Sequence, residues 1–510
     1  MNSPLQRLRD LLPFAQPTSP AAVDADGRGL SASLAGMTPV AVIARLGSVT
    51  LPAAQNEANL HKRYKRLEEI RAVAEQALPA VEAGIMAAPL PMPVEVTGSA
   101  IHADNLLKAL VQAFAALAQA VAEQQHPGAP GPLFNRAIHR ALALLGRRQL
   151  LAYRAYAQPS PNSWLMLHSL YLLACDPKAQ ALTADNAPVE HEYLGALLFA
   201  YLEPPRLPRN DLDLIHSCTR ALAPYAMVSD ATADALTRRV PDACFLVRPD
   251  LANCGYPLTR TPNGTSLFGA LIVDCTQALA ALDRNLTRQA DQTVEPALDA
   301  PPALLQNLRV ALGGKSARRF SRTRFRPRGD LIGGLAQVIH FLDGHVFSRR
   351  SLDGGLRHDP KAPTPSEWSL IDESPDGFLL RFIRGDKWQT GVGDVDALQP
   401  RESSRTHVCL VRRVVSRQTR LEIGLQLLSP QVSVAQVARR GQTPEKALLL
   451  HSLPAYGKFG GLITRPGLLQ PGQAVSVDYG GQSLTRIVGA QLEANDGLCF
   501  FALHNPPPAG

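Results

Sequence analysis

Residues 368–383 read WSLIDESPDGFLLRFI and decide the fold of the C-terminal part of the chain. Apolar and polar residues alternate on both sides of a Pro-Asp-Gly turn, and this period of two predicts a β-hairpin. The same pattern recurs at 407–416 (HVCLVRRVVS) and at 419–429 (TRLEIGLQLLS). Short strands separated by turn residues are typical of a small antiparallel barrel or sandwich.

Further strand patterns follow toward the C-terminus, at 446–452, 460–465, 474–494 and 497–504. Within the longest of these, the dipeptide Gly480-Gly481 is a good hairpin turn. We therefore predict a small C-terminal β domain over 445–507, separate from the preceding barrel.

The N-terminal part has helical spacing instead. Leu60, Tyr64, Leu67, Ile70 and Val73 recur every three or four residues, and the pattern is broken at Pro79. Further helices separated by proline-bearing turns predict a helical domain over 55–300, either α-solenoid-like or an irregular bundle, although no fixed repeat is sustained. Residues 1–54 are rich in Pro, Ala, Gly and Ser and are predicted to form a flexible arm. The predicted fold class is α+β, helical first and β second.

Length, composition and cysteine spacing exclude several classes of protein. The chain has 510 residues, too many for one core, and its 42 prolines and 37 glycines argue against a long coiled coil. Seven scattered cysteines form no C-x-x-C pair, which argues against a zinc site or a disulfide framework. No secretory signal is visible, and the apolar stretch 109–122 is too short to span a bilayer. We expect a cytoplasmic protein without a membrane span.

No catalytic constellation stands out. Gly314-Lys315-Ser316 resembles the end of a phosphate-binding loop, but that loop needs glycine at position 309, which is arginine. His168 and His216 lie on predicted helices beside apolar neighbours and are interpreted as core or interface histidines. We therefore expect no enzymatic activity, no catalytic residues, no metal and no cofactor.

Two separated elements carry a binding prediction. Residues 315–328 read KSARRFSRTRFRPR, with seven basic side chains and no acidic one. Arg318 and Arg322 have R-x-x-x-R spacing, with Arg319 between them. The second element is the turn of the hairpin above, in which Asp372, Ser374 and Gly377 form a D-x-S-x-x-G motif.

In this order, and with the following strands VCLVRRVV (408–415) and LEIGLQLL (421–428), the sequence resembles a PilZ domain, the bacterial receptor module for cyclic di-GMP. The resemblance covers about a quarter of the chain and implies a PilZ-like β-barrel over 315–438 with a helical insertion near 331–342. It also implies residue roles: phosphate and guanine contacts from Arg318 and Arg322, help from Arg319, base reading by Asp372 and Ser374, and a tight backbone turn at Gly377.

The chemistry of these side chains suits such a ligand. Guanidinium forks bind phosphate oxygens in pairs, remain charged, and match the O6 and N7 atoms of guanine. A carboxylate such as Asp372 can accept from guanine N1–H and N2–H, and Ser374 can donate or accept. Gly377 lets the backbone turn tightly and come close to a base.

The sequence departs from the family pattern in one respect. Between Arg322 and Asp372 lie 49 residues, more than a plain PilZ domain has, and Arg322/Arg326 and Arg324/Arg328 repeat the R-x-x-x-R spacing. The arginine register therefore stays open.

The predicted function is a cyclic di-GMP receptor that couples ligand binding to an unidentified protein partner through the helical domain. One alternative is a ligand-free structural or adaptor protein with a degenerate barrel. Another is a nucleic-acid-binding β module, which is disfavoured because only Phe320 and Phe325 interleave the arginines as stacking groups.

Overall fold

The computed structural model describes residues 4–12, 30–124, 131–176, 187–232, 234, 239, 241–262, 264–288, 293–313, 327–343, 365–385, 390–401, 405–417, 420–439, 441–452 and 460–506. The chain divides into two compact units. The helical unit comprises 1–88, 92–204 and 210–317, and the barrel unit comprises 318–510 with the short segments 89–91 and 205–209. Helices followed by β structure confirm the α+β fold class.

The helical unit contains twelve α-helices among its described residues. They are α1 (Pro4–Leu11), α2 (Leu30–Ser33), α3 (Pro39–Arg45), α4 (Leu51–Gln55), α5 (Leu60–Ala87), α6 (Val94–Gln124), α7 (Pro132–Arg154), α8 (Pro161–Ala174), α9 (Ala187–Tyr201), α10 (Leu212–Leu222), α11 (Thr276–Leu286) and α12 (Pro302–Leu312). A π-helical turn, Leu46–Thr50, joins α3 to α4. Helices α5, α6 and α7 pack side by side and form the centre of the unit.

The prediction that the α5 pattern breaks at Pro79 is wrong, because the helix continues to Ala87. Its N-terminus is capped by Asn59, whose side-chain oxygen accepts from the amide of Lys62 at 3.0 Å. Proline removes one helical hydrogen bond, but Val81 and Ile85 beyond it are buried. Packing of this last stretch therefore outweighs the local cost of the proline.

The predicted flexible arm (1–54) is wrong for residues 4–11, which form α1 and pack against α8, and for residues 30–54, most of which are helical. Leu34, Ile43, Leu46 and Leu51 are buried, and α3 packs against α5 and α6. These helices are too short to show a clear period in a Pro- and Ala-rich sequence, and packing on longer neighbours stabilises them. Residues 1–3 and 13–29 of the predicted arm lie outside the described residues.

The helical unit also contains a small β-sheet that was not predicted from the sequence. Strands β1 (Met227–Asp230), β2 (Cys244–Val247), β3 (Tyr256–Pro257) and β4 (Leu271–Asp274) pair antiparallel in the order β1-β4-β2-β3. Helical sequence patterning is predicted for 266–284, but the helix α11 begins only at Thr276, because the apolar run 271–274 is β4. Periodicity cannot separate such a short run from a helical turn.

The apolar helix α6 is longer than the apolar stretch 109–122 from which the absence of a span was predicted. It runs over 31 residues, and the part from Val94 to Glu123 is long and apolar enough to cross a membrane by length and composition. The length argument against a span is therefore wrong, because the helix starts well before residue 109. Its most apolar window is 56% buried within the protein, against α5 and α7. The expected absence of a span stays a prediction.

His168 is a core histidine, as predicted. Its side chain is fully buried on α8, where Nε2–H donates to the carbonyl of Asn253 at 2.8 Å and Nδ1 accepts from the Tyr193 hydroxyl at 2.9 Å. Burial lowers the pKa of His168 to about 4, so the ring is neutral at physiological pH.

The barrel unit contains two closed six-stranded antiparallel barrels. The first barrel consists of β5 (Arg328–Gly333), β6 (Ser366–Ser374), β7 (Gly377–Arg384), β8 (Val395–Pro400), β9 (His407–Arg417) and β10 (Arg420–Ser429). The second consists of β11 (Val432–Ala438), β12 (Glu445–Leu450), β13 (Gly461–Thr464), β14 (Ala474–Tyr479), β15 (Gln482–Ala494) and β16 (Cys499–His504).

The barrel unit differs from the sequence-based prediction in three places. Helix α13 (Leu335–Leu342) is four residues shorter than the predicted helix 331–342, because Leu331 and Ile332 belong to β5. Strand β8 was not predicted. Strand β11, which the prediction places in the first barrel, pairs with β12 and β14 and so begins the second barrel.

Candidate functional site

The predicted motif residues Asp372, Ser374 and Gly377 lie in the β6–β7 hairpin of the first barrel. Asp372 and Ser374 are half-buried on β6, and Gly377 opens β7 directly opposite Ser374. The Ser374 hydroxyl donates to the Gly377 carbonyl at 3.3 Å, and the Leu427 amide donates to the Asp376 carbonyl at 2.8 Å. The motif thus builds a tight turn that is also bonded to β10.

Gly377 is required by a close approach of two backbones. A Cβ atom built there would lie 1.9 Å from the carbonyl oxygen of Leu425, and the residue has φ +156°. No larger residue fits without moving β10 away from β7. The glycine of the motif therefore sets the spacing of the strands that carry the other motif residues.

A bulge at Ile371 turns the side chain of Asp372 to the outer face of the barrel. The register shifts between Leu370 and Asp372, and Asp372 pairs with Leu379. Leu370 and Leu380 are fully buried inside, whereas Leu379 is only half-buried. Because paired residues share a face, Asp372 points outward with Leu379.

The row that contains Asp372 continues across the barrel. Leu379 pairs with Gly424 on β10, and Gly424 pairs with Arg413 on β9. Four adjacent strands spaced about 4.8 Å apart place the backbones of Asp372 and Arg413 roughly 14 Å from one another. Gly424 contributes no side chain, so the row has a carboxylate at one end, a guanidinium at the other and a depression between them.

Arg413 is exposed and occupies a bulge in β9. The register shifts there, so that Arg412 and Arg413 are successive residues between the buried Val411 and Val414. Arg412 donates to the Gln426 side chain at 2.7 Å and also pairs with Glu493 of the second barrel. For Arg413, the described residues provide no ion pair.

The neighbouring row of the same face is basic at its centre. Arg328 on β5 pairs with Ser369 on β6, Ser369 with Arg381 on β7, and Arg381 with Glu422 on β10. The Arg381 guanidinium donates to one Glu422 oxygen through Nε at 3.0 Å and Nη2 at 2.8 Å.

Glu367 holds three arginines at the edge of this face. Its carboxylate, which is fully buried, accepts from Arg328 at 2.8 Å and from Arg384 at 2.7 Å, and Arg401 lies 3.0 Å away. Burial alone would raise the pKa of Glu367, but the bonds from Arg384 and Arg328 and the charge of Arg401 outweigh it and lower the pKa. The Glu367 carboxylate is therefore anionic, and because three guanidiniums surround it, the cluster as a whole carries a net positive charge.

The predicted arginines Arg318, Arg319 and Arg322 lie outside the described residues, so their place in the site stays a prediction. The described residues resume at 327, and β5 begins at Arg328, next to β6. Among the described residues, the sequence reading missed Arg413 and Arg381. The doublet Arg412-Arg413 interrupts an alternating strand, and this interruption is the signal that could have indicated an outward-facing bulge.

This outer face of β6, β7 and β10, together with Arg413, forms the candidate ligand face. It offers the carboxylate of Asp372, the hydroxyl of Ser374, the guanidiniums of Arg381 and Arg413, and a depression at Gly424. The described residues contain no group of three or more His, Cys, Asp or Glu side chains that could hold a metal ion.

Comparison with known proteins gives two matches. A family described as the N-terminal domain of the cyclic-di-GMP receptor FimW matches residues 30–233, from α2 to β1 in the helical unit. The cyclic-di-GMP receptor FimW of Pseudomonas aeruginosa is 21% identical over 458 residues, covering 74% of this chain and 73% of that relative. No solved structure matches the chain.

Both matches support a cyclic-di-GMP receptor family. They name a receptor rather than an enzyme, which confirms the prediction of a non-enzymatic protein. The family match lies outside the barrels, and the PilZ-type identity of the first barrel stays a prediction.

Proposed function

We propose that this chain is a cytoplasmic receptor that binds cyclic di-GMP on the candidate ligand face of a PilZ-type first barrel. The observation that carries the proposal is the outward Asp372 in the hairpin held by Gly377, on a face that ends at Arg413. Similarity to the receptor FimW supports the choice of ligand.

Three positions of this face have a defined task in the proposal. Asp372 accepts from N1–H and N2–H of one guanine, which few other groups in a nucleotide can offer to a carboxylate. Arg413 provides a fork for guanine O6 and N7 or for a phosphate. Because Gly424 has no side chain, the depression there leaves room for the flat base. A larger residue at this position would fill the depression.

The arginine segment 315–328 supplies the phosphate contacts in the proposal, through Arg318 and Arg322 with Arg319 beside them. Support comes from chain connectivity, because the segment ends at Arg328 on β5, one strand from Asp372. Two phosphates carry two negative charges, and paired guanidinium donors are the groups that bind them best.

The helical unit is proposed to transmit binding to a protein partner. Two features support this role: the unit has its own large core, including α5, α6 and α7, and it contains the stretch that matches the FimW N-terminal domain. No cofactor takes part.

Calorimetric titration of the full chain with cyclic di-GMP tests the proposal, with GTP and the linear dinucleotide as control ligands. Asp372→Asn should weaken binding by roughly 30- to 150-fold, which corresponds to about 2–3 kcal/mol for charge-assisted bonds. Glu373→Gln is the matched control, since it removes one charge from the adjacent, exposed residue, which pairs with the inward Phe378. Equal affinities of the two variants, or no saturable binding by the wild type, would overturn the proposal.

A further inference from the structure

The two barrels have the same topology. In the first barrel, strand one pairs with two, two with three, three with six, six with five, five with four, and four with one. The second barrel repeats this order strand for strand, also with antiparallel pairing throughout. Strand β11 therefore corresponds to β5, and each later strand to its counterpart.

A glycine fixes the residue alignment between the barrels. Gly377 opens the third strand of the first barrel, and Gly461 opens the third strand of the second. Each pairs with the sixth strand, and a Cβ built on either would strike a carbonyl of that strand: Leu425 at 1.9 Å and Phe501 at 2.7 Å. In each barrel, the residue after that carbonyl is the glycine's direct partner, Gln426 or Ala502.

This alignment shows which residues stand at the positions of the ligand face. Leu448 pairs with Ile463, and Leu450 pairs with Gly461. Leu448 therefore corresponds to Asp372, and Leu450 corresponds to Ser374. On the sixth strand, Phe500 corresponds to Gly424. The carboxylate, the hydroxyl and the depression of the first barrel are replaced by two leucines and a phenylalanine.

These apolar replacements are buried outside the second barrel. Leu449, Leu462 and Phe501 fill the interior of that barrel, whereas Leu448, Leu450, Ile463 and Phe500 belong to a different core. That core also contains Val338, Ile339 and Phe341 of α13, and Val395, Ala397, Val408 and Leu410 of β8 and β9. The equivalent face of the second barrel is thus covered by α13 and by the first barrel.

Polar contacts hold the edges of this interface. The Lys446 ammonium pairs with the Asp343 carboxylate just after α13, and Asn495 donates to Asp394 at 3.2 Å. The first barrel contributes β5, β8 and β9 to the interface, its strands one, four and five. Of its own strands two, three and six, the described residues place only Leu428 of strand six against this shared core, and Asp372 on strand two is not among its residues.

We infer that the second barrel is a structural copy of the first whose ligand face has become an internal docking surface for α13 and the first barrel. The barrel unit therefore carries one cyclic-dinucleotide face, not two, and the second barrel serves as a support. The statement about ligand rests on the proposed function, whereas the docking surface stands on the contacts alone.

Hydrogen exchange of the full chain tests the docking surface. Leu448→Asp should speed exchange of the α13 amides (335–342) at least 100-fold, because a carboxylate is placed in an apolar interface. Leu492→Asp is the matched control on the same barrel, since Leu492 is 49% exposed on β15. If Leu448→Asp unfolds the second barrel, Leu448→Ala serves instead, with a tenfold or greater increase expected. Unchanged α13 exchange in both Leu448 variants overturns the docking surface.

A ligand titration separates the second part of the inference from the proposed function. If the wild type binds cyclic di-GMP, Asp372→Asn should weaken all of the saturable binding together. A remaining fraction of sites with wild-type affinity would show a second ligand face and overturn the single-face inference. If the wild type does not bind at all, the proposed function fails, while the exchange result still decides the docking surface.

Discussion

Replacing Gly377 by alanine tests whether the close approach of β7 and β10 holds the ligand hairpin. The new Cβ would lie 1.9 Å from the Leu425 carbonyl oxygen, about 1 Å inside the nearest distance that such atoms tolerate. The residue also has φ +156°, which side-chain-bearing residues avoid. Backbone strain of about 1–3 kcal/mol adds to overpacking of about 1–3 kcal/mol.

We therefore expect Gly377→Ala to lower the free energy of local opening at β7 and β10 by about 3 kcal/mol or more, which is over 100-fold in the opening equilibrium. Amide hydrogen exchange of residues 377–384 and 420–429 measures this quantity in the full chain. Cyclic di-GMP affinity should fall with it, because Asp372 shares the hairpin.

Gly481→Ala is the matched control for strain without collision. Gly481 has φ +78°, yet nothing lies within 4 Å of a Cβ built there. Its substitution should cost about 1–2 kcal/mol, in the second barrel only, because a side-chain-bearing residue is strained in the left-handed region. If Gly377→Ala costs no more than Gly481→Ala, the close approach does not determine the geometry of the hairpin.

Three further predictions follow from other parts of the molecule. The lowered pKa of Glu367 means that its stabilising effect is present above about pH 4.3, the value for an unfolded glutamate, and is lost as pH falls through the lower folded value. Glu367→Gln should therefore destabilise β5–β8 at pH 7 and reduce their loss of exchange protection between pH 5 and 3. A fragment 30–313 should give a cooperative thermal transition by circular dichroism, whereas 55–313 should melt at least several degrees lower, because it lacks the buried residues of α3 and the start of α4. Equal transitions would contradict the packing role of these residues. Cyclic di-GMP should increase exchange protection in 315–328, because a dianion neutralises like charges there, and no change would exclude this segment from the site.

The β part of the fold was predictable where strands alternate in polarity. The hairpin 368–383 and strands β9 and β10 carry a clear period of two, because one face of each lies inside the first barrel. Strands β5 and β8 were missed because both of their faces are buried. Leu398 faces the interior of the first barrel, whereas Ala397 faces α13, so no alternation remains in the sequence.

The candidate site was predictable only in part. Asp372, Ser374 and Gly377 were found because their spacing encodes one local turn. Arg413 and Gly424 join them through pairing across four strands, and a pairing register between distant segments cannot be read from one sequence. The correspondence of Leu448 with Asp372 was hidden for the same reason, since it depends on the register of β12 with β13 and not on any shared motif.

The most direct test of the central claim is hydrogen exchange of the full chain with and without saturating cyclic di-GMP. We predict new protection at 372–379 on β6 and β7 and at 422–426 on β10, with no change at 445–450 and 461–464 in the second barrel. Protection at β12 and β13 with an unchanged β6–β7 hairpin would contradict the assignment of the ligand to the first barrel.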